Sequence, residues 1–540
     1  MKKLILWMIS MMMGGVCHAE DITICYDGAS VKVTQTRKDS VVVAVDRAYV
    51  DIKSKYKDHI LTVRLTGSSN DGQLNLKADG KVRICLDNLT LTSQEGAPLC
   101  LKNKKKTEVV VPKGTESTLS IAACNDTVNH KGAVVWAKDK LLLSGEGTLN
   151  IVTKGDGCRG IKTKKDVTIE GLTLNVSTSG NNLGEKPFEM FAFPDMPEGG
   201  FPEFPGGFPM PNDSIMKGMF PNFPGGFPMP NDSIMKGMFP NFPGGFPMPN
   251  DSIIKGMFQN FPGGFPMPND SIMKGMFPNF PGVFPNFGDR EGNDSIEGGG
   301  FGGFGGKHKY YAATKGIASK GRVIINSGNV TVRTATAGAE GIEGKQGVIV
   351  NGGNVDVLAT DDAINANATI EFNGGCVTAR SMGNDAVDSN PKGSFFMPFG
   401  GNSEQASDPA IIIKGGTVYA WSQVGSPEEG LDCDFSPLAV EGGRVFTVGG
   451  GMGEMPSVPT NQTAKQPTVL LIGMNIAQDA QITICDGSGK VIDTITVPFS
   501  MRRSASLVSI PAFKVGGSYT VKTTDYERTF TIDENFTIVR

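Results

Sequence analysis

Outside one central segment, apolar and polar residues alternate in short runs that never settle into a helical period. KVRICLDNLTLT (81–92), KDKLLLSGEGTLNIVT (138–153) and KDVTIEGLTLNVST (165–178) are rich in Val, Ile, Leu and Thr and bounded by Gly, Asn and Asp. Such runs read as strands joined by tight turns. Further along, one unit recurs. GIASKGRVIINSGNVTVRTA begins at Gly316, GIEGKQGVIVNGGNVDVLAT at Gly341 and AINANATIEFNGGCVTARSM at Ala363. A fourth unit opens at Ala386, is interrupted by NPKGSFFMPFGGNSEQASD, and resumes as PAIIIKGGTVYAWSQ; a fifth opens at Gly430. Each has a [G/A]-[I/V/L] step, a bend, an apolar run, a Gly turn and a V-x-V-like strand. Glu340 to Asp362 spans 22 residues and Asp362 to Asp385 spans 23. A strand-rich unit this short cannot bury its own inward face, so neighbouring units must stack. The pattern predicts an all-β chain folded as a right-handed parallel β-helix solenoid, with 81–97, 105–121, 138–153 and 159–178 as looser earlier turns. A β-sandwich array would need repeats of about 100 residues, and none is visible.

The central segment, 184–308, breaks the pattern. FPNFPGGFPMPNDSIMKGM and its near copies begin at Phe201, Phe220, Phe239 and Phe258, with a decayed fifth from Phe277. Pro removes donors and Gly adds chain entropy, so the segment is expected to be a disordered insertion that leaves the solenoid near Ser179 and rejoins it near Tyr310. Every copy carries Asn-Asp-Ser-Ile. Asp-Ser before an aliphatic residue resembles the acceptor of a general O-glycosylation system of some exported bacterial proteins. This makes Ser214, Ser233, Ser252, Ser271 and Ser295 candidate O-glycan sites.

The first 19 residues pair a basic start, MKK, with an apolar stretch and a small-residue cleavage position, Cys17-His18-Ala19. This is a signal peptide, and it predicts an exported protein at the cell surface, in the periplasm or outside the cell. No later run reaches the ~20 apolar residues of a membrane-spanning helix. The expected organisation is 1–19 signal, 20–183 first part of the solenoid, 184–308 insertion, 309–464 second part, and 465–540 a C-terminal β region. The chain holds 51 Lys plus Arg against 55 Asp plus Glu, which gives no overall field for nucleic acid. The cysteines have no C-x-x-C spacing, so a zinc site is not expected. Their spacing assigns no disulfides.

Aligning the units on the [G/A]-[I/V/L] step reveals the candidate chemistry. The residue before the step is Arg159, Lys315, Glu340, Asp362, Asp385 and Glu429 in turn. Two beyond the step's first position stand Lys162, Ala318, Glu343, Asn365, Asp388 and Asp432; one place earlier than the first set are Asp361, Asn384 and Glu428. In stacked strands, aligned positions lie ~4.8 Å apart. Two like charges at that distance repel by ~0.9 kcal/mol in bulk water and by a few kcal/mol at an effective dielectric of 20. A hard divalent cation relieves such a column, and Ca2+ takes oxygen ligands of this kind. The expected metal ligands are therefore Glu340, Glu343, Asp361, Asp362, Asn365, Asn384, Asp385, Asp388, Glu428, Glu429 and Asp432. Arg159, Lys162, Lys315, Arg333, Arg380 and Trp421 are the expected contacts to an anionic polysaccharide.

RLTGSSNDGQLNLKADGKVRICLDNLTLTSQEGAPLCLKN (64–103), GTESTLS (114–120), KGAVVWAKDKLLLSGEGTLNI (131–151) and the acidic GI/AI/AV units together resemble the exported β-helical carbohydrate-binding proteins of cellulolytic bacteria. The resemblance spans roughly 60–180 and 310–470. It implies a right-handed parallel β-helix similar to pectate lyases, bound calcium, and binding of plant polysaccharide without catalysis. The basic residues of the first units confine the implied calcium sites to 340–434. The expected function is thus calcium-dependent binding of an acidic or plant cell-wall glycan. A pectate-lyase-like enzyme, with Arg380 or Arg333 as the base, is the main alternative, and a structural surface adhesin a further one.

Overall fold

The computed structural model describes residues 20–36, 39–122, 132–182, 313–391, 408–433, 436–450 and 456–540. The expected signal peptide, the expected insertion 184–308 and the candidate O-glycan serines Ser214, Ser233, Ser252, Ser271 and Ser295 lie outside the described residues. Within them the chain is all β, with no helix that could cross a membrane.

Between Leu99 and Val448 each strand pairs in parallel with the strand three places further on. One stack runs Leu141–Gly145, Val167–Glu170, Val323–Ile325, Val348–Val350, Ile370–Phe372, Ile411–Ile413 and Leu438–Val440. A second runs Thr148–Thr153, Thr173–Thr178, Asn329–Thr334, Asn354–Ala359, Cys376–Ser381, Thr417–Ser422 and Arg444–Val448. The third runs Ala133–Ala137, Arg159–Thr163, Lys315–Ser319, Ile342–Gly344, Ile364–Ala366, Val387–Ser389 and Leu431–Asp432. The row before the long insertion pairs directly with the row after it, Thr173–Thr178 on Asn329–Thr334.

The side chains explain the stacking. Val323, Val348, Ile370, Ile411 and Leu438 lie one above another, each fully buried, as do Ile317, Ile342, Ile364 and Val387. Each row buries its apolar residues against the rows on either side and against the facing strand of its own row. The turns carry ladders of their own. Asn351 donates to Asn326 Oδ1 at 2.9 Å, and Asn373 donates to Asn351 Oδ1 at 2.8 Å. In the Gly-Gly turns Gly375 has φ +83°, and a Cβ there would meet the Gly353 carbonyl oxygen at 2.5 Å. Only glycine fits that position.

The two ends depart from the repeat. The chain opens with two antiparallel hairpins, Ile22–Asp27 with Ser30–Gln35 and Val41–Asp46 with Tyr49–Ser54. Each then joins a stack in parallel, through Leu61–Ser69 and Gln73–Ala78. At the other end Met501–Ser509 pairs antiparallel with both Arg444–Val448 and Thr468–Ile476. Gln481–Asp486, Val491–Thr496, Ser518–Lys522 and Glu527–Thr531 form a separate four-stranded sheet. A second core, including Phe446, Val469, Met474, Phe513 and Val521, fills this end.

Candidate functional site

The third stack positions the acidic residues. Ile342, Ile364, Val387 and Leu431 point into the core, so strand alternation turns their successors to the opposite face. The register places Lys162, Ala318, Glu343, Asn365, Asp388 and Asp432 in one column. Beside it, Arg159 and Lys315 are paired, and backbone hydrogen bonds from Gly316 to Glu340, Gly341 to Asp362 and Ala386 to Glu429 carry that column onward. Asn384 donates to Asp361 Oδ1 at 2.9 Å, which joins two rows of the outermost column.

These carboxyls are withdrawn from solvent. Glu343, Asp362, Asp385, Asp388 and Glu429 are 2–8% exposed. At the basic end the charges are matched. Lys315 Nζ lies 3.0 Å from Glu340 Oε1 and 2.8 Å from Glu343 Oε1, and Lys345 Nζ lies 2.5 Å from Glu343 Oε1. Burial pushes the Glu343 carboxyl up, but Lys315 and Lys345 outweigh it and hold the group at about 2. Burial likewise opposes the Lys315 charge, but Glu340 and Glu343 hold its pKa above the ordinary lysine range.

Further along, amides and backbone N–H groups replace cations. Asn365 donates to Asp362 Oδ2 and to Asp388 Oδ2, both at 2.8 Å. Asn390 donates to Asp388 Oδ2 at 2.5 Å, and the Glu429 N–H donates to Asp385 Oδ1 at 2.5 Å. Ser457 donates its N–H to Glu429 Oε2 at 2.6 Å and its hydroxyl to Asp432 Oδ1 at 3.2 Å. These bonds do not offset burial and mutual repulsion. Burial, then Asp361 and Glu340, pushes Asp362 well above the carboxylate range; burial, then Asp432 and Asp362, does the same to Asp385. Burial and Asp432 push Glu429 up to about 8 and also raise Glu428. Burial first, then Lys315 against Glu343, leaves Glu340 raised. Asp362 Oδ1 and Glu340 Oε2 are buried and accept no hydrogen bond.

Among the described residues no three His, Cys, Asp or Glu side chains close around one point as they stand. The chemistry of the donors nevertheless suits a hard cation. They are carboxylate and amide oxygens, two of them buried without a hydrogen-bond donor, in columns whose cations, Arg159, Lys162, Lys315 and the neighbouring Lys345, all lie toward one end.

The expected polysaccharide contacts fare differently. Arg159 and Lys315 are 3% exposed and belong inside the column, so neither faces a polymer. Lys315 is the cation that closes the acidic column. Arg333 and Arg380 stand two rows apart, with Leu358 between them, and both pair with Asp356. Trp421 is 5% exposed and packs on Tyr419 and Phe499, with ring centroids at 5.2 and 6.3 Å, so its faces are taken by the second core. Lys162 is half-buried, as Arg333 and Arg380 are, and stands at the basic end of its column. Lys345, Asn390 and Ser457 were not foreseen. Lys345 and Asn390 follow their strands by one residue and could be found from the register; Ser457 lies beyond the last repeat and carries no sequence signal.

A family model described as "Carbohydrate-binding domain-containing protein" matches residues 58–187 and 291–386. Among solved structures, a polysaccharide lyase-like protein from C. thermocellum is similar at 12% identity and a TM-score of 0.30, covering 80% of this chain and 92% of that one. No curated protein matches the chain.

Proposed function

We propose that this is an exported protein that binds an acidic or plant cell-wall polysaccharide with the help of Ca2+, without catalysing its cleavage, on a right-handed parallel β-helix. The match to a carbohydrate-binding family model over 58–187 and 291–386 supports the polysaccharide. The parallel pairing of each strand with the third strand after it supports the solenoid. The single observation that carries the metal is the pair of aligned columns in which Asp362, Asp385, Asp388 and Glu429 are buried beside one another with pKa values pushed up at Asp362, Asp385 and Glu429. Asp362, Asn365, Asp385, Asp388, Glu429 and Asp432 would hold the cation. When bound, it would supply the positive charge that the columns lack and so attract the carboxylates of a polymer.

A lyase of the pectate type needs a base aimed at a substrate carbon. Arg333 and Arg380 are both turned onto Asp356, and this pairing supports binding without catalysis. The test is a glycan array probed with the chain lacking 184–308, in calcium and in chelator. Retention of acidic glycans that is stronger in calcium than in chelator, with no release of unsaturated products, is the expected outcome. Equal retention in both conditions overturns the role of calcium, and unsaturated products lost in Arg380→Ala would establish a lyase.

A further inference from the structure

The outward face of the third stack carries a second column, two residues along from the acidic one and opposite in sign. Lys53 pairs with Lys77. The register then continues one position beyond Leu76, Leu101, Ala137, Thr163, Ser319 and Gly344. Backbone hydrogen bonds from Lys102 to Leu76, Lys138 to Leu101, Lys164 to Ala137, Lys320 to Thr163 and Lys345 to Ser319 confirm each step. Lys53, Lys77, Lys102, Lys138, Lys164, Lys320 and Lys345 therefore stand in line, one per row, ~4.8 Å apart. The first four are exposed, and among the described residues none of those four enters an ion pair. Asp79 and Asp166, close to the column, are held by other lysines, Lys104 and Lys140, and Asp51 shares the exposed strand face of Lys53. Beyond Lys345, which meets Glu343, the register brings Asn367 and Asn390 into the column.

Lys77, Lys102, Lys138 and Lys164 also line an open groove of about 310 Å3 together with Trp136. Trp136 is 6% exposed, in the same column as Cys100 and Lys162, and forms the floor rather than a projecting ring.

We infer that this lysine ladder is a binding site for a linear polyanionic polysaccharide, distinct from the acidic columns and independent of a metal. The inference rests on the polysaccharide reading above and places the polymer. Four exposed cations at a fixed repeat, continued in line by Lys164, Lys320 and Lys345, match a polymer with recurring charges, and a single phosphate or a small acid would leave most of the exposed row unmatched. Like charges stacked this closely repel along the whole column, and a polyanion lying on it removes that repulsion while releasing its own counterions. Single-stranded nucleic acid is held by aromatic rings that project for base stacking, and the groove offers only the buried Trp136. The stretch matching the carbohydrate-binding family model, 58–187, contains Lys77, Lys102, Lys138 and Lys164.

The test uses the full chain in chelator, so that no divalent cation contributes. The probes are alginate, its carboxyl-reduced uncharged form, and single-stranded DNA of similar length. The variant Lys77→Gln/Lys102→Gln/Lys138→Gln changes exposed side chains. Lys113→Gln/Lys490→Gln/Lys514→Gln removes equal charge elsewhere, and melting curves show that both variants are folded. The wild-type chain should bind alginate and not the reduced polymer. The ladder variant should bind at least about tenfold more weakly, with the salt dependence of log K reduced by about 1 for each lysine removed, and the control should stay within about twofold. Equal losses in both variants, no loss in the ladder variant, or equal binding of the reduced polymer overturns the site. Tighter binding of DNA than of alginate overturns its assignment to a glycan. If alginate binds only when calcium is restored, the ladder fails and the polysaccharide reading stands; if no glycan binds in either condition, both fail.

Discussion

Glu429 is 8% exposed, and burial together with Asp432 pushes its carboxyl up to about 8. Between the ordinary carboxylate value of 4.5 and that figure, the folded chain holds a proton that the unfolded chain has lost. Stability therefore falls as pH rises through this window. Asp362 and Asp385 are raised as well and act in the same direction. Metal-free protein should thus melt at a lower temperature at pH 8 than at pH 5, and Glu429→Gln should flatten the slope. A melting temperature that rises over that range in chelator would contradict the electrostatic account. The same repulsion gives Asp385→Asn an unusual sign. The amide keeps the oxygen that accepts the Glu429 N–H at 2.5 Å and removes a carboxyl that, beside Asp432 and Asp362, must hold a proton the unfolded chain gives up. In chelator the variant should gain about 1–3 kcal/mol, read from denaturant midpoints, and in calcium it should lose that advantage. The identities of these acids were legible because each recurs at one place in the unit. The burial was not, since the step aligns residues without telling how deeply they sit. Lys315 illustrates the gap. It was expected to meet a polymer, and it is buried between Glu340 and Glu343.

Strands two to six residues long hold together in these stacks through the rows above and below. The Gly turns set how closely the rows approach. At Gly375 the backbone has φ +83°, and a methyl group would stand 2.5 Å from the Gly353 carbonyl oxygen. Gly375→Ala should cost at least about 2 kcal/mol from the left-handed conformation and the overlap together. Loss of the second-core packing is not involved, so the urea midpoint should move without a change in slope. A neutral substitution would mean that the turn can open. The central units were readable because Val, Ile and Gly recur at fixed offsets. The opening hairpins were not, because Val41–Asp46 and Tyr49–Ser54 alternate like any other pair of strands, and alternation does not distinguish antiparallel from parallel pairing. Trp421 was misplaced for a related reason. Its strand belongs to the repeat, but the surface it covers belongs to the C-terminal core, whose Phe499 lies far along the chain.

For the molecule as a whole, the third stack carries opposite charges in adjacent columns along one face, with lysines from Lys53 to Lys345 and acids from Glu340 to Asp432. The parallel stacking that makes the core continuous also keeps these columns in register, so fold and candidate sites arise from the same repeat. The period announced the acidic columns through their alignment at the [G/A]-[I/V/L] step. It left the lysine column hidden, because its members follow the strands in turns of differing composition. The claim that the acidic columns hold a divalent cation is tested most directly by titrating Ca2+ into metal-stripped protein in a calorimeter. Saturable binding of at least one ion per chain, weakened at least about tenfold in Asp385→Asn/Asp388→Asn, is the result this account predicts; a titration with no saturable heat and no accompanying rise in melting temperature would contradict it.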